Sequence, residues 1–351
     1  MPKQKILTDR QGRILQAIIN TYITTAEAVG SRTVAKKMGF MLSPASVRNV
    51  MADLEDMGYV HQPHTSAGRI PTETGYRLYV NALMERQEIE REKQEMVDEL
   101  YRSKIKQIEE ILELSSRMLS LLSQYTAVVQ MPAMDVETIR HVNLVPLSST
   151  KVVVVLVSSN GNIIKRIAIL SDDIEESEVD RLNAFLNEKI CSLSFAAARS
   201  VIESLKDSTS IADKKLTSFA REIMDEVLAE DERDIYLDGI ENIFDQPEFK
   251  DLSRLRPVIR VLDEKKHLNE LLEFCMPADD VSGVYIRIGS ENMLDDVRSC
   301  SIIVSPYRIG GRTRGAIGVI GPTRMQYSRA SSVVGFMADK LGNVLTEMCR
   351  G

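Results

Sequence analysis

Apolar residues recur at helical spacing near the start of the chain. Thr8 and Gln11 have the spacing of a capping box, in which each side chain bonds to the backbone N–H of the other residue. The apolar residues after them recur every three or four positions, as on one face of a helix: Ile14, Leu15, Ile18, Ile19 and Tyr22. The pattern therefore predicts a first helix that begins just after Thr8.

Two shorter helices are predicted next. Ser31 is the predicted N-cap of the first, and Gly39 ends it. Ser43 is the predicted N-cap of the second, with Pro44 at its first helical position and Gly58 at its end. The inward face of this second short helix consists of Val47, Val50, Met51, Leu54 and Met57. Two short helices joined by a tight turn that contains glycine indicate a helix-turn-helix.

A hairpin is predicted to follow the helix-turn-helix. Residues 59–61 have the pattern of a strand, residues 63–68 that of a turn, and residues 69–71 that of a returning segment. Together these elements predict a winged helix. Arg69 is expected near the tip of the wing, where it would reach a neighbouring groove or the backbone of DNA.

The predicted winged helix carries candidate residues for binding DNA. In this motif the second helix lies in the major groove, and its early residues meet base edges. Arg can bind guanine, Asn can bind adenine, and Ala can contact a thymine methyl group. The residues predicted to read bases are Ala45, Ser46, Arg48 and Asn49, beside Ser43 at the helix start. The residues predicted to bond phosphates are Ser31, Arg32 and Thr33 in the preceding helix and His64, Thr65, Ser66 and Arg69 in the wing.

Three stretches of sequence carry a resemblance to a known family. Residues 43–55 read SPASVRNVMADLE, residues 64–72 read HTSAGRIPT, and residues 315–325 read GAIGVIGPTRM, followed by Tyr327. Over nearly the whole chain they resemble the HrcA family of heat-inducible transcription repressors. The resemblance implies a bacterial repressor that binds, as a homodimer, an inverted-repeat operator ahead of chaperone genes. It also implies control through the chaperonin GroEL, which assists folding of the active repressor.

The resemblance further implies a GAF-like sensor domain that a dimerising insertion interrupts. Residues 83–125 have a helical pattern, and residues 138–170 have a strand pattern with a hairpin signal at Asn160-Gly161. A helix-rich passage follows before strand patterns resume at residue 284, and a last helix is predicted from about residue 328. A domain inserted into another one interrupts the strand pattern of the host domain along the sequence, as seen here.

The sequence therefore predicts an α+β multidomain fold: an amino-terminal winged helix-turn-helix, and a GAF-like α/β sensor domain interrupted by an inserted helix-rich dimerisation domain. The predicted limits are 1–82 for the winged helix, 83–104 for a linker helix, 105–172 with 251–351 for the GAF-like domain, and 173–250 for the insertion.

Charge is distributed unevenly along the chain. The net charge is −7, but residues 1–80 carry ten Lys and Arg against six Asp and Glu, a balance of +4 that leaves −11 for the remainder. A basic module on an acidic body suits a DNA-binding protein, because only one face has to attract phosphates. A small domain that is basic without binding DNA is the alternative.

The composition predicts a soluble protein. With 351 residues, 44% of them hydrophobic and 27% charged, the chain is expected to form two or three globular domains. The longest aliphatic run, Val152 to Val157, is far too short to span a bilayer, and no apolar signal segment opens the sequence. A cytoplasmic location without a membrane partner is expected.

No catalytic, cofactor or metal site is predicted. The four cysteines lie far apart and include no C-x-x-C pair: Cys191, Cys275, Cys300 and Cys349. His61 and His64 have no further ligand within the wing. The glycine-rich residues 310–321 lack a phosphate-loop motif, and three nearby arginines are expected to bind an anion or to be solvated: Arg312, Arg314 and Arg324. Spacing identifies no nucleophile with its base.

Two other classes of function stay open on the sequence. A ligand-gated winged-helix repressor would sense a small molecule through the GAF-like domain, and an enzyme would need a reactive constellation that the sequence does not reveal. For a repressor, an interrupted sheet also gives a physical reason for dependence on a chaperonin. Contacts between distant segments form slowly and expose aggregation-prone strands such as Val152 to Val157.

Overall fold

The chain divides into two compact units. The first combines residues 1–131 with 233–351, and the second comprises residues 132–232. The structure is a computed structural model that describes residues 7–39, 41–65, 67–85, 87–102, 107–132, 138–159, 163–204, 211–227, 233–276 and 283–348. Ser66, a predicted phosphate ligand, and the predicted turn at Asn160-Gly161 lie outside these residues.

The first unit opens with a winged helix. Its elements, in chain order, are α1 (Asp9–Thr25), α2 (Ser31–Lys37), α3 (Pro44–Asp56), β1 (Val60–His61), β2 (Ile70–Pro71), α4 (Glu73–Leu78) and a π-helical turn over Tyr79–Leu83. The strands β1 and β2 are antiparallel, with His61 opposite Ile70. The apolar faces of α1, α2 and α3 form one core with completely buried side chains, among them Ile14, Leu15, Val34, Val47 and Leu54.

The predicted caps of α1 and α3 are confirmed. Thr8 Oγ1 accepts a bond from the Gln11 N–H at 3.3 Å, and Gln11 Oε1 accepts one from the Thr8 N–H at 3.0 Å. Ser43 Oγ accepts a bond from the Ser46 N–H at 3.1 Å. The predicted N-cap of α2 is wrong, because Ser31 is already the first helical residue and the N-cap is Gly30. Glycine tolerates the cap conformation almost as well as serine.

The chain leaves the winged helix through two more helices. These are α5 (Arg91–Arg102) and α6 (Ile108–Ser123), and the strand β3 (Thr126–Gln130) follows them. The helix α6 buries Ile111, Leu112 and Leu119. Every residue of β3 is buried, so this strand has no alternation of polar and apolar positions.

The second unit packs helices against a small sheet. Its elements are β4 (Ile139–Ser148), β5 (Lys151–Ser158), β6 (Ile163–Ile169), α7 (Glu176–Ile190), α8 (Phe195–Ser204) and α9 (Ile211–Val227). Among the described residues, β4, β5 and β6 form an antiparallel sheet in that order, here called the second sheet. Val152, Val154 and Leu156 alternate on its inner face and are buried under the helices. Asn187 on α7 bonds to both backbone groups of Val142 on β4, at 3.0 and 2.7 Å.

The chain then returns to the first unit. Its remaining elements are β7 (Ile235–Asp238), α10 (Glu241–Phe244), α11 (Leu252–Asp263), α12 (Lys265–Cys275), β8 (Tyr285–Ile288), β9 (Cys300–Ile309), β10 (Arg312–Pro322) and α13 (Tyr327–Met348). Short 3-10 helices cover Pro247–Lys250, Gly289–Glu291 and Asp295–Val297. Within the described residues, antiparallel strands form one larger sheet, the main sheet, in the order β7-β3-β10-β9-β8.

The main sheet has a hydrophobic layer on each face. Val129 pairs with Ile317, and both side chains belong to the core that contains α6, α13 and the winged helix. Val128 and Ile320 point to the opposite face and join the core formed with α11 and α12. The helices therefore cover both faces of the main sheet, and one of these cores continues into the winged helix.

The arrangement of the strands and the limits of the two units differ from the sequence prediction. Residues 138–170 were expected to begin the sheet that residues 284–320 complete, but they form the second sheet inside the second unit. Residues 233–250 belong to the first unit instead of the insertion. The main sheet begins with β3, which the sequence analysis missed because a short strand buried on both faces carries no period of two.

Candidate nucleic-acid interface

One face of α3 is exposed and carries small and polar side chains. Ala45, Arg48, Asn49 and Ala52 have the spacing of neighbours on one helical face, and all four are exposed. Val47 and Leu54 on the opposite face are completely buried in the core of the winged helix. Packing of the apolar stripe therefore fixes which side chains of α3 face outward.

The polar groups on this face are available for binding. Among the residues that the structure describes, the side chains of Arg48 and Asn49 have no hydrogen bond or ion pair with another residue. An exposed guanidinium and an exposed carboxamide without internal partners can bond bidentately to base edges. Ser46, which is half-buried, also bonds through its hydroxyl to Ser43 Oγ at 3.1 Å.

The start of α3 is held by its cap. Ser43 Oγ accepts the Ser46 N–H and donates to the Ser46 hydroxyl, so both serine hydroxyls already have partners within the first turn. Pro44 at the first helical position has no N–H to satisfy. The cap therefore satisfies the first turn of α3, and Ser43 has this structural role as well as its predicted contact with DNA.

The helix α2 presents cations and hydroxyls next to α3. Arg32 and Thr33 are exposed in its first turn, and Ser31 is partly exposed. Lys36 and Lys37 are exposed in its last turn. The phosphate-binding residues predicted for α2 thus lie at the surface.

Arg69 lies where the turn of the wing meets β2 and is bridged to Val29, so it is not free near the tip as the sequence analysis expected. Its backbone N–H and C=O both bond to Val29 at 2.9 Å, directly before β2 begins. Its guanidinium forms an ion pair with Glu55 at 2.8 Å, and 17% of the side chain is exposed. A cation that is paired and mostly covered is poorly placed to meet a phosphate.

Glu55 joins α3 to both sides of the wing. One carboxylate oxygen accepts the Gln62 N–H at 2.8 Å, and the other pairs with Arg69. Gln62 Nε2 in turn donates to the carbonyl oxygens of Thr65 at 3.0 Å and Ala67 at 2.9 Å. These contacts set the shape of the turn, and sequence reasoning missed them because acids on a helix are ordinarily solvated.

The wing tip is exposed at His64 and Thr65. A close backbone approach fixes the returning segment, because a Cβ on Gly68 would lie 2.3 Å from the carbonyl carbon of Val29. Only glycine fits at position 68.

The helix α4 attaches the winged helix to the main sheet. Arg77 pairs with Glu291 and also donates to the carbonyl oxygen of Ile286 on β8 at 2.7 Å. Glu73 accepts hydrogen bonds from the backbone N–H of Ser290 at 3.1 Å and from its hydroxyl. These partners are far apart in the sequence, which gives no local signal of the junction.

Arg324 makes a second attachment. It donates to the carbonyl oxygen of Ile23 in α1 and forms an ion pair with Glu248 at 2.6 Å, with 11% of its side chain exposed. The expectation that Arg324 binds an anion or is solvated is therefore wrong. Beside it, the ring of Tyr76 lies 5.7 Å from that of Tyr327. Burial, followed by the neighbouring Tyr327 phenol, raises the pKa of Tyr76, which keeps this hydroxyl protonated.

The described residues show no metal cluster and no membrane-spanning helix. They contain no group of three or more His, Cys, Asp or Glu side chains arranged to hold a metal ion. In the same part of the chain, no helix combines the length and apolarity needed to cross a membrane.

Comparisons with known proteins agree with the geometry. The family described as "HrcA protein C terminal domain" matches residues 109–330, and the family described as "Winged helix-turn-helix transcription repressor, HrcA DNA-binding" matches residues 6–85. The chain is 39% identical over 346 residues to heat-inducible transcription repressor HrcA of Pelotomaculum thermopropionicum, covering 98% of this chain and 99% of the relative. It is 39% identical over 340 residues to the same repressor of Geobacter sulfurreducens, covering 97% and 98%.

A solved structure shares the fold. The crystal structure of a hypothetical protein at 2.2 Å resolution matches with a TM-score of 0.61 at 23% identity, over 98% of this chain and 100% of the other. The family matches reach from the winged helix to the last helix. This chain belongs to the HrcA family of heat-inducible transcription repressors, which bind DNA through a winged helix and are not enzymes.

Proposed function

We propose that this protein represses chaperone genes by binding, as a homodimer, an inverted-repeat operator ahead of them. The observation that carries the proposal is the exposed face of α3, on which Arg48 and Asn49 have no partner among the described residues. A helix whose other face is locked into a core can enter a major groove without rearrangement. A repressor acting on the chromosome of a bacterium works in the cytoplasm.

The exposed residues divide into two roles. Ala45, Ser46, Arg48 and Asn49 read base edges, since they lie on or beside the outward face of α3. Residues at the start of α2 and at the wing tip hold the phosphates: Ser31, Arg32, Thr33, His64 and Thr65. Ser43 orients the first turn of α3 through its cap. Arg69 holds the wing against α3 instead of contacting DNA, because Glu55 already pairs with its guanidinium.

The homodimer is supported by an apolar surface in the second unit. The helices α7 and α9 pack on one face of the second sheet, whereas the other, here called the outer face, exposes large aliphatic side chains. Their exposed fractions are 43% for Val145, 57% for Leu147, 57% for Ile163, 54% for Ile167 and 67% for Ile169. Val153 lies between Val145 and Ile167 in the register of the sheet. In the same register, Asn143 and Lys165 flank Val155 and are exposed, so polar side chains interrupt this apolar surface. Large aliphatic side chains exposed in this number still favour a protein partner.

A second copy of the chain is the partner that an inverted repeat requires. A twofold axis between two outer faces relates the two winged helices in the same way as the two half-sites of an operator. We therefore assign dimerisation to residues 132–232. The helices on both faces of the main sheet support a GAF-like assignment for the rest of the first unit.

Dependence on the chaperonin GroEL has a physical basis in the strand order. The strand β3 pairs with β7 and β10, which lie on the other side of residues 132–232 in the sequence. Contacts between such distant segments form late during folding. Until they form, strands that are buried in the folded main sheet stay exposed and prone to aggregation. At high temperature other unfolded proteins occupy GroEL, so less repressor folds and the amount of active repressor falls.

The operator part of the proposal is tested by footprinting on the chaperone promoters of the source organism. Protection of an inverted repeat, with tighter binding to it than to a scrambled duplex at the same salt concentration, is expected. Equal affinity for the two duplexes would refute sequence-specific repression.

The chaperonin part is tested by refolding. Heat-treated protein is expected to regain more operator binding with GroEL and ATP than without them. Full recovery in buffer alone would remove GroEL from the mechanism and leave DNA binding intact.

A further inference from the structure

A cleft of about 400 Å³ lies where the winged helix meets the edge of the main sheet. Its walls come from the end of α4 and the π-helical turn after it, the end of α12, the edge strand β8 and the helix α13. Its volume is within the range of small-molecule sites in proteins. The side chains that define its chemistry are Arg77, Asn81, Tyr285, Arg287 and Ser331.

The cleft holds a cation without a carboxylate partner. Arg77 is neutralised by Glu291, but Arg287 forms no ion pair with any residue that the structure describes. The Arg287 guanidinium lies 4.9 Å from the ring centre of Phe274 and donates to the Phe274 carbonyl oxygen at 3.3 Å. These contacts hold its position and leave its charge uncompensated. The described residues that line the cleft include no Asp or Glu.

A buried hydroxyl in the same cleft also lacks a partner. Ser331 is 3% exposed, and among the described residues its Oγ has no hydrogen-bond partner. A buried hydroxyl without a bond costs free energy, and a ligand in the cleft would remove that cost. Cys275 does not add a negative charge, because burial raises the pKa of its thiol to about 12.

We propose that this cleft binds a small organic anion whose acidic group pairs with Arg287 and whose apolar body lies against Val80 and Val284. The Ser331 hydroxyl gives or accepts a further bond. Such a ligand touches the segment after the wing and β8 together, so its binding adds to the junction between winged helix and main sheet. Control of repression by the ligand rests on the proposed function, whereas the binding itself does not.

Calorimetric titration of the full chain with 2-naphthoate tests the site without DNA. One molecule is expected to bind per chain, and 2-naphthamide, which has no charge, is expected to bind at least about 10-fold more weakly. Arg287→Gln should weaken binding of the anion about 10-fold or more, and Ser331→Ala about 2- to 10-fold. Arg256→Gln, which removes the same charge from an exposed position on α11 outside the cleft, should change nothing.

Three results would overturn the proposal: no saturable binding of 2-naphthoate, equal binding of the amide, or equal binding by the Arg287→Gln variant with a wild-type circular dichroism spectrum. An operator footprint without naphthoate binding would refute the proposed ligand site and leave the proposed function intact. Naphthoate binding without a footprint would refute the proposed function alone.

Discussion

The outward face of α3 and the outer face of the second sheet are both exposed, and they differ in chemistry. On α3 the exposed positions 45, 48, 49 and 52 carry a guanidinium, a carboxamide and two methyl groups, and the exposed Asp53 and Asp56 follow toward the end of the helix. On the second sheet they include five large aliphatic side chains, with Ile169 67% exposed, beside the exposed Lys151 and Lys165. Both elements bury their opposite face in a core. The core therefore fixes the direction of the side chains. The exposed residues are the basis on which we propose a polar DNA groove as the partner of α3 and a second copy of the chain as the partner of the sheet.

Placing a charge on the outer face should have the largest effect on DNA binding. In Ile167→Asp, the carboxylate would have to be buried in the dimer, so we expect monomers in analytical ultracentrifugation. Two linked half-sites gain about 10²- to 10⁴-fold in affinity, and the variant should lose a factor of this size on the full operator. Ala184→Asp, at an exposed position on α7, is the control and should stay dimeric. If the Ile167→Asp variant stays dimeric and binds the operator with full affinity, the outer face is not the dimer interface.

Removing the guanidinium from α3 should have the next largest effect. Arg48→Ala is expected to cost about 1–3 kcal/mol on the cognate operator and much less on a scrambled duplex, because only the cognate site presents the matching base edge. Lys37→Ala, an exposed cation on α2, should weaken binding to both duplexes equally. Fluorescence anisotropy titrations at one salt concentration measure both. Equal losses for Arg48→Ala on the two duplexes would show that it contacts phosphates only.

The cap of α3 should matter for stability. Ser43→Ala leaves the Ser46 N–H without its side-chain partner and is expected to lower the free energy of unfolding by about 0.5–2 kcal/mol, measured by urea denaturation. Ser43→Asp restores an acceptor and should be close to the wild type in stability. On DNA the new carboxylate repels phosphates, so this variant should bind the operator more weakly. Wild-type affinity for Ser43→Asp would mean that the start of α3 stays away from the DNA backbone.

The smallest effect is expected from the carboxylate that joins α3 to the wing. Glu55→Gln keeps an acceptor for the Gln62 N–H and loses the charge opposite Arg69, and we expect a loss of roughly 0.5–1 kcal/mol because the pair is partly exposed. Hydrogen exchange should become faster at the wing amides and stay unchanged in α1. Unchanged exchange in the wing would show that the backbone bridge to Val29 is sufficient to hold it.

Much of the winged helix could be predicted from the sequence because its signals are local. The cap at Ser43, the proline after it and the left-handed Gly58 at φ 80° lie within one short stretch, and the period of α3 assigns its buried and exposed sides. The outward positions of Arg48 and Asn49 follow from that period alone. The exception is Arg69. Its partner Glu55 lies on α3, so the sequence of the wing alone did not reveal that the Arg69 side chain is paired and mostly covered.

The remainder of the first unit could not be predicted in the same way. β3 is five residues long and buried throughout, and its neighbours β7 and β10 follow only after the second unit. Arg324 forms an ion pair with Glu248 and a hydrogen bond with Ile23 at the end of α1, and both partners lie outside the sequence motif at residues 315–325. The aliphatic run of β5 predicted a strand, but its sequence did not reveal that α7 and α9 cover only one side of the sheet.

The sequence by itself determined the caps of α1 and α3 and the helical periods of the winged helix, and with them which side chains of α3 lie at the surface. These depend on steric and hydrogen-bonding preferences between residues a few positions apart. Only the tertiary structure decided which strands share a sheet, which arginines are already paired, and which apolar face stays exposed. Each of these depends on surfaces that distant segments bring together, and such surfaces leave no periodic trace in any one segment.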